Sequence, residues 1–209
     1  MRRTKLICTI GPATSGRIDE LVAAGMDVAR INFSHGTRAS HAAAARAVDR
    51  ASAAAARPVA LLTDLAGPKI RLGDLEDGAV DLVAGERFVL RTSGAPTRLG
   101  TASGARVAYR GFTTDVRVGD PIFLADGAAE LRVTAVAGDV VTEVVRGGVI
   151  RSRAGVAIPA LRLSTPTLTA RDRTDVGRAI ELGATFIGQS FVRSAEDVLE
   201  LRRLIGRNG

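Results

Sequence analysis

The chain has 209 residues, 46% of them hydrophobic, with 29 basic against 22 acidic side chains for a formal charge of +7, and this composition supports one or two domains with real cores. Apolar runs such as Val59 to Leu62 are far too short to cross a bilayer, no export segment is legible, and the lone Cys8 excludes an internal disulfide, so a cytoplasmic protein without a membrane partner is expected. The basic residues are scattered and aromatic side chains make up only 3% of the chain, which argues against nucleic acid.

Lys5 to Ile10 reads as a short buried strand closed by Gly11-Pro12, with Cys8 as a small buried hydrophobe within it. A helix from about Ile18 to Ala24 ends at Gly25, and Val28 to Phe33 is the second strand. After Ser34-His35-Gly36 an alanine-rich helix runs from about Arg38 to Ala56 and stops at Arg57-Pro58, with His41 expected on its exposed side. Val59 to Asp64 is a third strand. Strand, helix, strand, helix, strand with mostly apolar strands predicts parallel pairing.

From about Leu72 the pattern changes to short β runs, Ala79 to Leu82, Arg87 to Thr92, Pro121 to Leu124, Glu130 to Val136 and Val140 to Val145, cut by Gly- and Asp-containing turns. This predicts a separate small all-β domain ending near Ile158-Pro159. Thr169 stands three residues before Asp172, a capping arrangement opening a helix that runs to Leu182 and stops at Gly183. Thr185 to Phe191 then reads as a fourth buried strand, and Ser194 with Asp197 opens a last helix that ends in Gly206 to Gly209. With an insertion of about 85 residues set aside, roughly 125 remain, half of the roughly 250 that a complete (β/α)₈ barrel needs. The expected fold is therefore α/β, a partial barrel of about four strands with an inserted small all-β domain. Its parts are residues 1–71, 72–158 and 159–209.

Chemistry is expected where the second strand ends. Along Asp27 to Gly36 side chains alternate between faces, so Val28, Arg30, Asn32 and Ser34 share one side while Ala29, Ile31 and Phe33 share the other. A polar row of this kind costs several kcal/mol per group to bury without partners. The plain alternative is a half-exposed edge strand with a solvated polar face. Asp64 ends the third strand, and oxygens of Asn32, Ser34 and Asp64 converging at one rim would suit a hard cation of low charge. Arg30 would then hold a phosphate or carboxylate, unless it merely pairs with Asp64. Nearly all the positive charge is arginine, whose planar fork fits such anions. In Asp64-Leu65-Ala66-Gly67-Pro68-Lys69-Ile70-Arg71, Arg71 is a candidate phosphate contact and Lys69 a solvated charge. Ser190 either lines a pocket or makes a loop hydrogen bond. His35 reads as a structural loop residue, and two unclustered histidines with one cysteine give no zinc signature.

Four separated stretches, Cys8 to Ala13, Ala29 to Gly36, Asp64 to Arg71 and Ser190 to Val198, together resemble the pyruvate kinase family, and the similarity runs from Thr4 to Gly209. That resemblance implies a barrel with a β-barrel lid inserted after the third strand. It implies a glycolytic phosphotransferase that moves the phosphoryl group of phosphoenolpyruvate to ADP, giving pyruvate and ATP with K+ and Mg2+. Carried over by motif, Arg30 would contact the phosphoryl group, Arg71 would meet nucleotide phosphates, and Asn32, Ser34, Asp64 and the Leu65 carbonyl would bind potassium. The family's catalytic lysine and its divalent-metal carboxylates lie on later strands, and no catalytic residue is identified in this chain. Two departures stand out. Ala154 replaces a lysine, and Ala157-Ile158-Pro159-Ala160 replaces Asn-Leu-Pro-Gly. The chain by itself is expected to be inactive. An alternative is a truncated, non-catalytic nucleotide- or phosphate-binding module that needs a partner chain, a second copy or a complementing one, to complete the barrel. A phosphoenolpyruvate-binding aldolase or mutase of similar shape is disfavoured, because it has no need of the β insertion.

Overall fold

A computed structural model describes residues 3–95, 97–109, 111–159 and 163–206, so Ala160 and the last three residues lie outside the described chain. Two compact units form, Met1–Pro68 with Thr167–Gly209, and Lys69–Pro166.

The first unit alternates strands and helices: β1 (Ile7–Thr9), α1 (Ile18–Ala23), β2 (Val28–Asn32), α2 (Arg38–Ala54) and β3 (Ala60–Asp64). The second unit follows, with β4 (Ala79–Leu82), β5 (Arg87–Arg91), β6 (Gly104–Arg106), the single-turn α3 (Phe112–Asp115), β7 (Pro121–Leu124), β8 (Ala129–Ala137), β9 (Asp139–Arg146), β10 (Gly148–Arg151) and β11 (Val156–Ala157). The chain then returns to the first unit through α4 (Ala170–Glu181), β12 (Phe186–Gly188) and α5 (Ala195–Gly206).

In the first unit β1, β2, β3 and β12 make one four-stranded sheet in that order, parallel throughout. Alternation sends Ala29, Ile31, Phe33 and Leu61 to one face, where they pack against Ile18, Val22, Val48, Val176, Ala179 and Leu201 of the helices. The opposite face carries Val28, Arg30, Asn32, Ala60, Leu62 and Asp64, all half-buried. The helices begin as their sequences dictate. Thr37 and Ser40 form a reciprocal capping box on α2, and Thr169 with Asp172 does the same on α4. Asp172 is fully buried, and its Oδ1 also accepts the Gly67 N–H at 3.1 Å.

Two strands expected to be buried are not. Ile7 on β1 is 57% exposed and Phe186 on β12 is 54% exposed, because these are the outer strands of the sheet and their side chains lie on the face that no helix covers. Cys8 is half-buried against the helical core. His41, expected on the exposed side of its helix, is instead buried on the same stripe as Ala45, Val48 and Ala51.

In the second unit a six-stranded sheet has the order β11-β7-β8-β9-β5-β6, beside the antiparallel pair β10-β4. Residues 70–73 join its two outer strands. Val156 N–H donates to the Ile70 carbonyl and Leu72 N–H to that of Ala154, while Gly73 N–H donates to the Arg106 carbonyl and Ala108 N–H to that of Arg71, all at 2.8–3.0 Å. The sheet is thereby closed around a core that includes Phe88, Leu90, Phe112, Ile122, Leu131 and Ile150, each essentially inaccessible. Arg71 and Leu72 belong to this unit through those bonds. Among the described residues no helix is long and apolar enough to cross a membrane.

Candidate functional site

Parallel register decides which polar side chains meet. Thr9 is the partner of Arg30, Arg30 of Leu62 and Asn32 of Asp64. Partners on adjacent strands project to the same side, so Thr9, Arg30, Asn32 and Asp64 share the uncovered face at the C-terminal ends of β1, β2 and β3. That end is where parallel α/β sheets place their sites.

All three nitrogens of the Arg30 guanidinium make contacts there. Its Nε donates to Asp64 Oδ2 at 3.0 Å, its Nη2 forms a short ion pair with the same oxygen, and its Nη1 donates to Thr9 Oγ1 at 2.8 Å. The arginine–carboxylate pairing weighed from the sequence is thus present. Both side chains keep about a quarter of their surface open, 29% and 23%, so a ligand reaches them from solvent.

The other oxygens are held close by. Asn32 Oδ1 accepts the Ser34 N–H at 2.8 Å, which folds the turn after β2 and leaves Ser34 half-buried. The Leu65 carbonyl accepts Ser190 Oγ–H at 2.8 Å, so Ser190 serves as a loop hydrogen bond on a predicted site residue. Leu65 N–H is tied to the Gly188 carbonyl, and Phe33 N–H to the Asp64 carbonyl, both at 2.9 Å. Gly67 has φ +62°, and a Cβ there would lie 2.5 Å from the Phe191 ring, so only glycine lets the chain pass. Of the two readings of Ser190, the loop hydrogen bond is the one present, whereas Asp172 was missed as a support of this loop. The capping pattern of Thr169 and Asp172 is visible in sequence, but not its second use on Gly67.

Beneath the site Phe33 is sealed in. The His41 ring stacks on it at 4.7 Å between centroids, the Arg178 guanidinium lies 5.7 Å from its ring centre, and Arg171 Nη2 donates to its carbonyl at 2.7 Å. His41 Nε2–H donates to the His35 carbonyl at 2.7 Å and pins the turn that carries the exposed His35. Beside the Asn32 end of the row opens a cleft of about 460 Å³, with Gly11, Pro12, Asn32, His35, His41 and Ala44 in its wall. Its walls are mostly apolar and its polar groups few, the make-up of a small-molecule site.

The oxygens of Asn32, Ser34, Asp64 and the Leu65 backbone are all hard donors, and one carboxylate among them gives the low charge that suits a monovalent ion. The donor set therefore fits potassium. No group of three or more histidine, cysteine or acidic side chains is gathered for a metal among the described residues.

Arg71 lies in the second unit, where its Nη1 donates to the Arg153 carbonyl at 3.1 Å. Arg153 in turn pairs with Asp74 at 2.9 Å, and that hydrogen-bonded guanidinium holds the Asp74 carboxyl below its usual range. Lys69 is exposed. Ala154 packs its methyl against the β core.

The comparisons decide what this arrangement belongs to. Residues 1–209 match the barrel domain of pyruvate kinase. The chain is 42% identical over 209 residues to the pyruvate kinase of Geobacillus stearothermophilus, 40% over 214 residues to that of Mycobacterium intracellulare, and 38% over 211 residues to that of Corynebacterium glutamicum. The chain belongs to the pyruvate kinase family. Those alignments take in 98–100% of this chain but only 35–44% of each relative, so it spans well under half the length of the pyruvate kinases it matches. The four-stranded parallel sheet is accordingly part of a pyruvate kinase barrel.

Proposed function

We propose that this chain carries the phosphoenolpyruvate- and potassium-binding half of a pyruvate kinase site, with the phosphoryl group on Arg30 and potassium on Asn32, Ser34, Asp64 and the Leu65 carbonyl. The observation that carries the reading is the alignment of Arg30, Asn32 and Asp64 on one open face at neighbouring parallel strand ends. Arg30 already presents two nitrogens to one oxygen of an anion, the Asp64 carboxylate, and a phosphoryl group carries more charge and can engage both nitrogens with separate oxygens. With the guanidinium engaged by the phosphoryl group, the Asp64 carboxylate would be free to join the oxygens that would hold potassium. Bound potassium supplies fixed positive charge beside the phosphoryl oxygens. Phosphoryl transfer depends chiefly on such positioning and neutralisation.

Arg71, whose planar fork suits phosphate, is assigned to nucleotide phosphates. The apolar cleft beside Asn32 takes the nucleoside end of ADP, since it offers flat apolar walls next to the phosphate-binding row. The exposed His35 at its rim is then a nucleotide neighbour as well as a turn residue. The chemistry belongs to glycolysis in the cytoplasm. The family's catalytic lysine and divalent-metal carboxylates lie on later strands, and no acidic cluster is gathered for a metal among the described residues, so binding without turnover is expected of this chain by itself.

Isothermal titration of phosphoenolpyruvate in potassium chloride tests the reading. Saturable binding is expected, weakened at least about tenfold by Arg30→Met, as for loss of a charge-assisted bidentate contact. Exchange of potassium for tetramethylammonium is expected to weaken it too. Equal affinity for wild type and Arg30→Met contradicts the assignment.

A further inference from the structure

The outer face of the closed sheet in the second unit brings two arginines together. β5 and β6 pair in parallel with Arg91 opposite Arg106, so the two side chains leave the sheet on the same side from backbones about 4.8 Å apart. That side is the outer one, since Leu90 and Ala105, the pair just before them, are both fully buried in the core. Glycines open the surface around them. A Cβ at Gly104, two residues before Arg106, would lie 3.1 Å from Arg91 Nη1, so the guanidinium of Arg91 rests over bare backbone. On the other flank a Cβ at Gly73, whose N–H donates to the Arg106 carbonyl, would lie 3.5 Å from that of Arg106. Neither guanidinium has an ion-pair or hydrogen-bond partner among the described residues. The carboxylates that flank them are committed elsewhere, Asp139 to the Thr92 N–H at 3.0 Å and Asp74 to Arg153 at 2.9 Å.

We propose that Arg91 and Arg106 form a binding site for a phosphate group on the outer face of the second unit. Like charges directly opposite on neighbouring strands destabilise a sheet, and half-burial strips each guanidinium of part of its hydration. The Nε–H of Arg106 is shut off from water as well as from any acceptor, so nothing replaces the hydrogen bond it gives up on folding. An anion seated between the two side chains corrects both defects. A carboxylate has two oxygens and is matched by one guanidinium fork, whereas a phosphate group has enough oxygens and charge for two adjacent forks. Phosphate is therefore the better fit to the pair. Arg71 stands two residues before Gly73 on the segment that flanks β6, so the group comes from one of two sources, a free phosphate ion or a nucleotide that also meets Arg71. The site lies wholly within the second unit and does not rest on the assignment of Arg30.

Amide NMR of the 209-residue chain, titrated with inorganic phosphate at an ionic strength held constant with potassium chloride, reads the site directly. Saturable shifts are expected at the amides of Arg91, Gly104 and Arg106. They are expected to persist in Arg30→Met, which removes the phosphoryl contact assigned to the first unit, and their loss in that variant overturns the proposal. The double variant Arg91→Gln with Arg106→Gln is expected to weaken phosphate at these amides at least about tenfold, with circular dichroism unchanged. Absence of saturable shifts there, or equal affinity in the double variant, overturns the proposal. Thermal melting of wild type gives a second reading that needs no variant. Phosphate well above its dissociation constant is expected to raise the transition of the second unit relative to chloride at the same ionic strength, and an unmoved transition overturns the proposal. Titration with ADP then names the source. Shifts at Arg91 and Arg106 that saturate with ADP and are lost in Arg71→Met support the site as one for a nucleotide phosphate, and shifts with inorganic phosphate alone support it as one for the free ion.

Discussion

In the second unit, residues 70–73 hydrogen-bond to 154–156 on one side and to 106–108 on the other, so both outer strands of the six-stranded sheet have partners and its large side chains are inaccessible. In the first unit the parallel sheet leaves β1 and β12 open and carries Ile7 and Phe186 more than half exposed. The difference lies in how each unit is assembled. The second closes its sheet within one contiguous stretch of chain, whereas the first has only part of a ring whose strands are joined by helical crossovers. The first unit's polar site therefore sits on a face still accessible to solvent.

Removing one aromatic ring from each unit sharpens that contrast most strongly. Phe88 is fully buried in the closed sheet, and Phe88→Ala is expected to cost about 3–5 kcal/mol in chemical denaturation of the second unit. Phe186→Ala in the first unit is expected to change stability by less than about 0.5 kcal/mol. Equal losses would contradict the picture of one closed and one open core.

A smaller effect is expected at the loop that carries Leu65. Asp172→Ala leaves the N–H groups of Gly67 and Thr169 without their acceptor, and about 2 kcal/mol should be lost, with hydrogen exchange accelerated at Gly67. Unchanged exchange there would show that Ser190 and Gly188 hold the loop unaided.

Much of this arrangement was legible beforehand. The capping pair Thr169 and Asp172, the alternation through Arg30 and Asn32, and the return of polarity at Asp64 each state a local rule that the structure follows, whereas Ser34 lies in the turn beyond the strand. Other features escaped for physical reasons. β6, Gly104–Arg106, has no β-branched residue to announce it, and its strand character comes from the strand it pairs with. The exposure of β1 and β12 depends on which strands lie beyond them, which an apolar run cannot tell. His41 did carry a signal, since it stands four and seven residues before Ala45 and Val48 and so shares their buried stripe. In the alanine-rich helix that spacing was easily passed over.

The smallest expected effect concerns acid stability of the first unit. Asp197 accepts the Arg193 and Ser194 N–H groups and the Thr167 hydroxyl at the start of α5, and these bonds, led by the Arg193 N–H, lower its pKa. A carboxylate with a depressed folded-state pKa stabilises the fold above its unfolded value, near about 3.9, and loses that contribution as pH falls through the folded value. The melting temperature of wild type should therefore exceed that of Asp197→Asn above about pH 4, with the gap closing below it. A gap that persists into strong acid would assign the effect to packing.

The central claim is that Arg30, Asn32, Ser34 and Asp64 form a binding half-site that cannot transfer the phosphoryl group unaided. It is tested most directly by supplying the chain with saturating phosphoenolpyruvate, ADP, potassium and magnesium and following pyruvate through a coupled assay. Bound phosphoenolpyruvate with no pyruvate above background is the predicted result. Pyruvate at a rate comparable with an intact pyruvate kinase would contradict it.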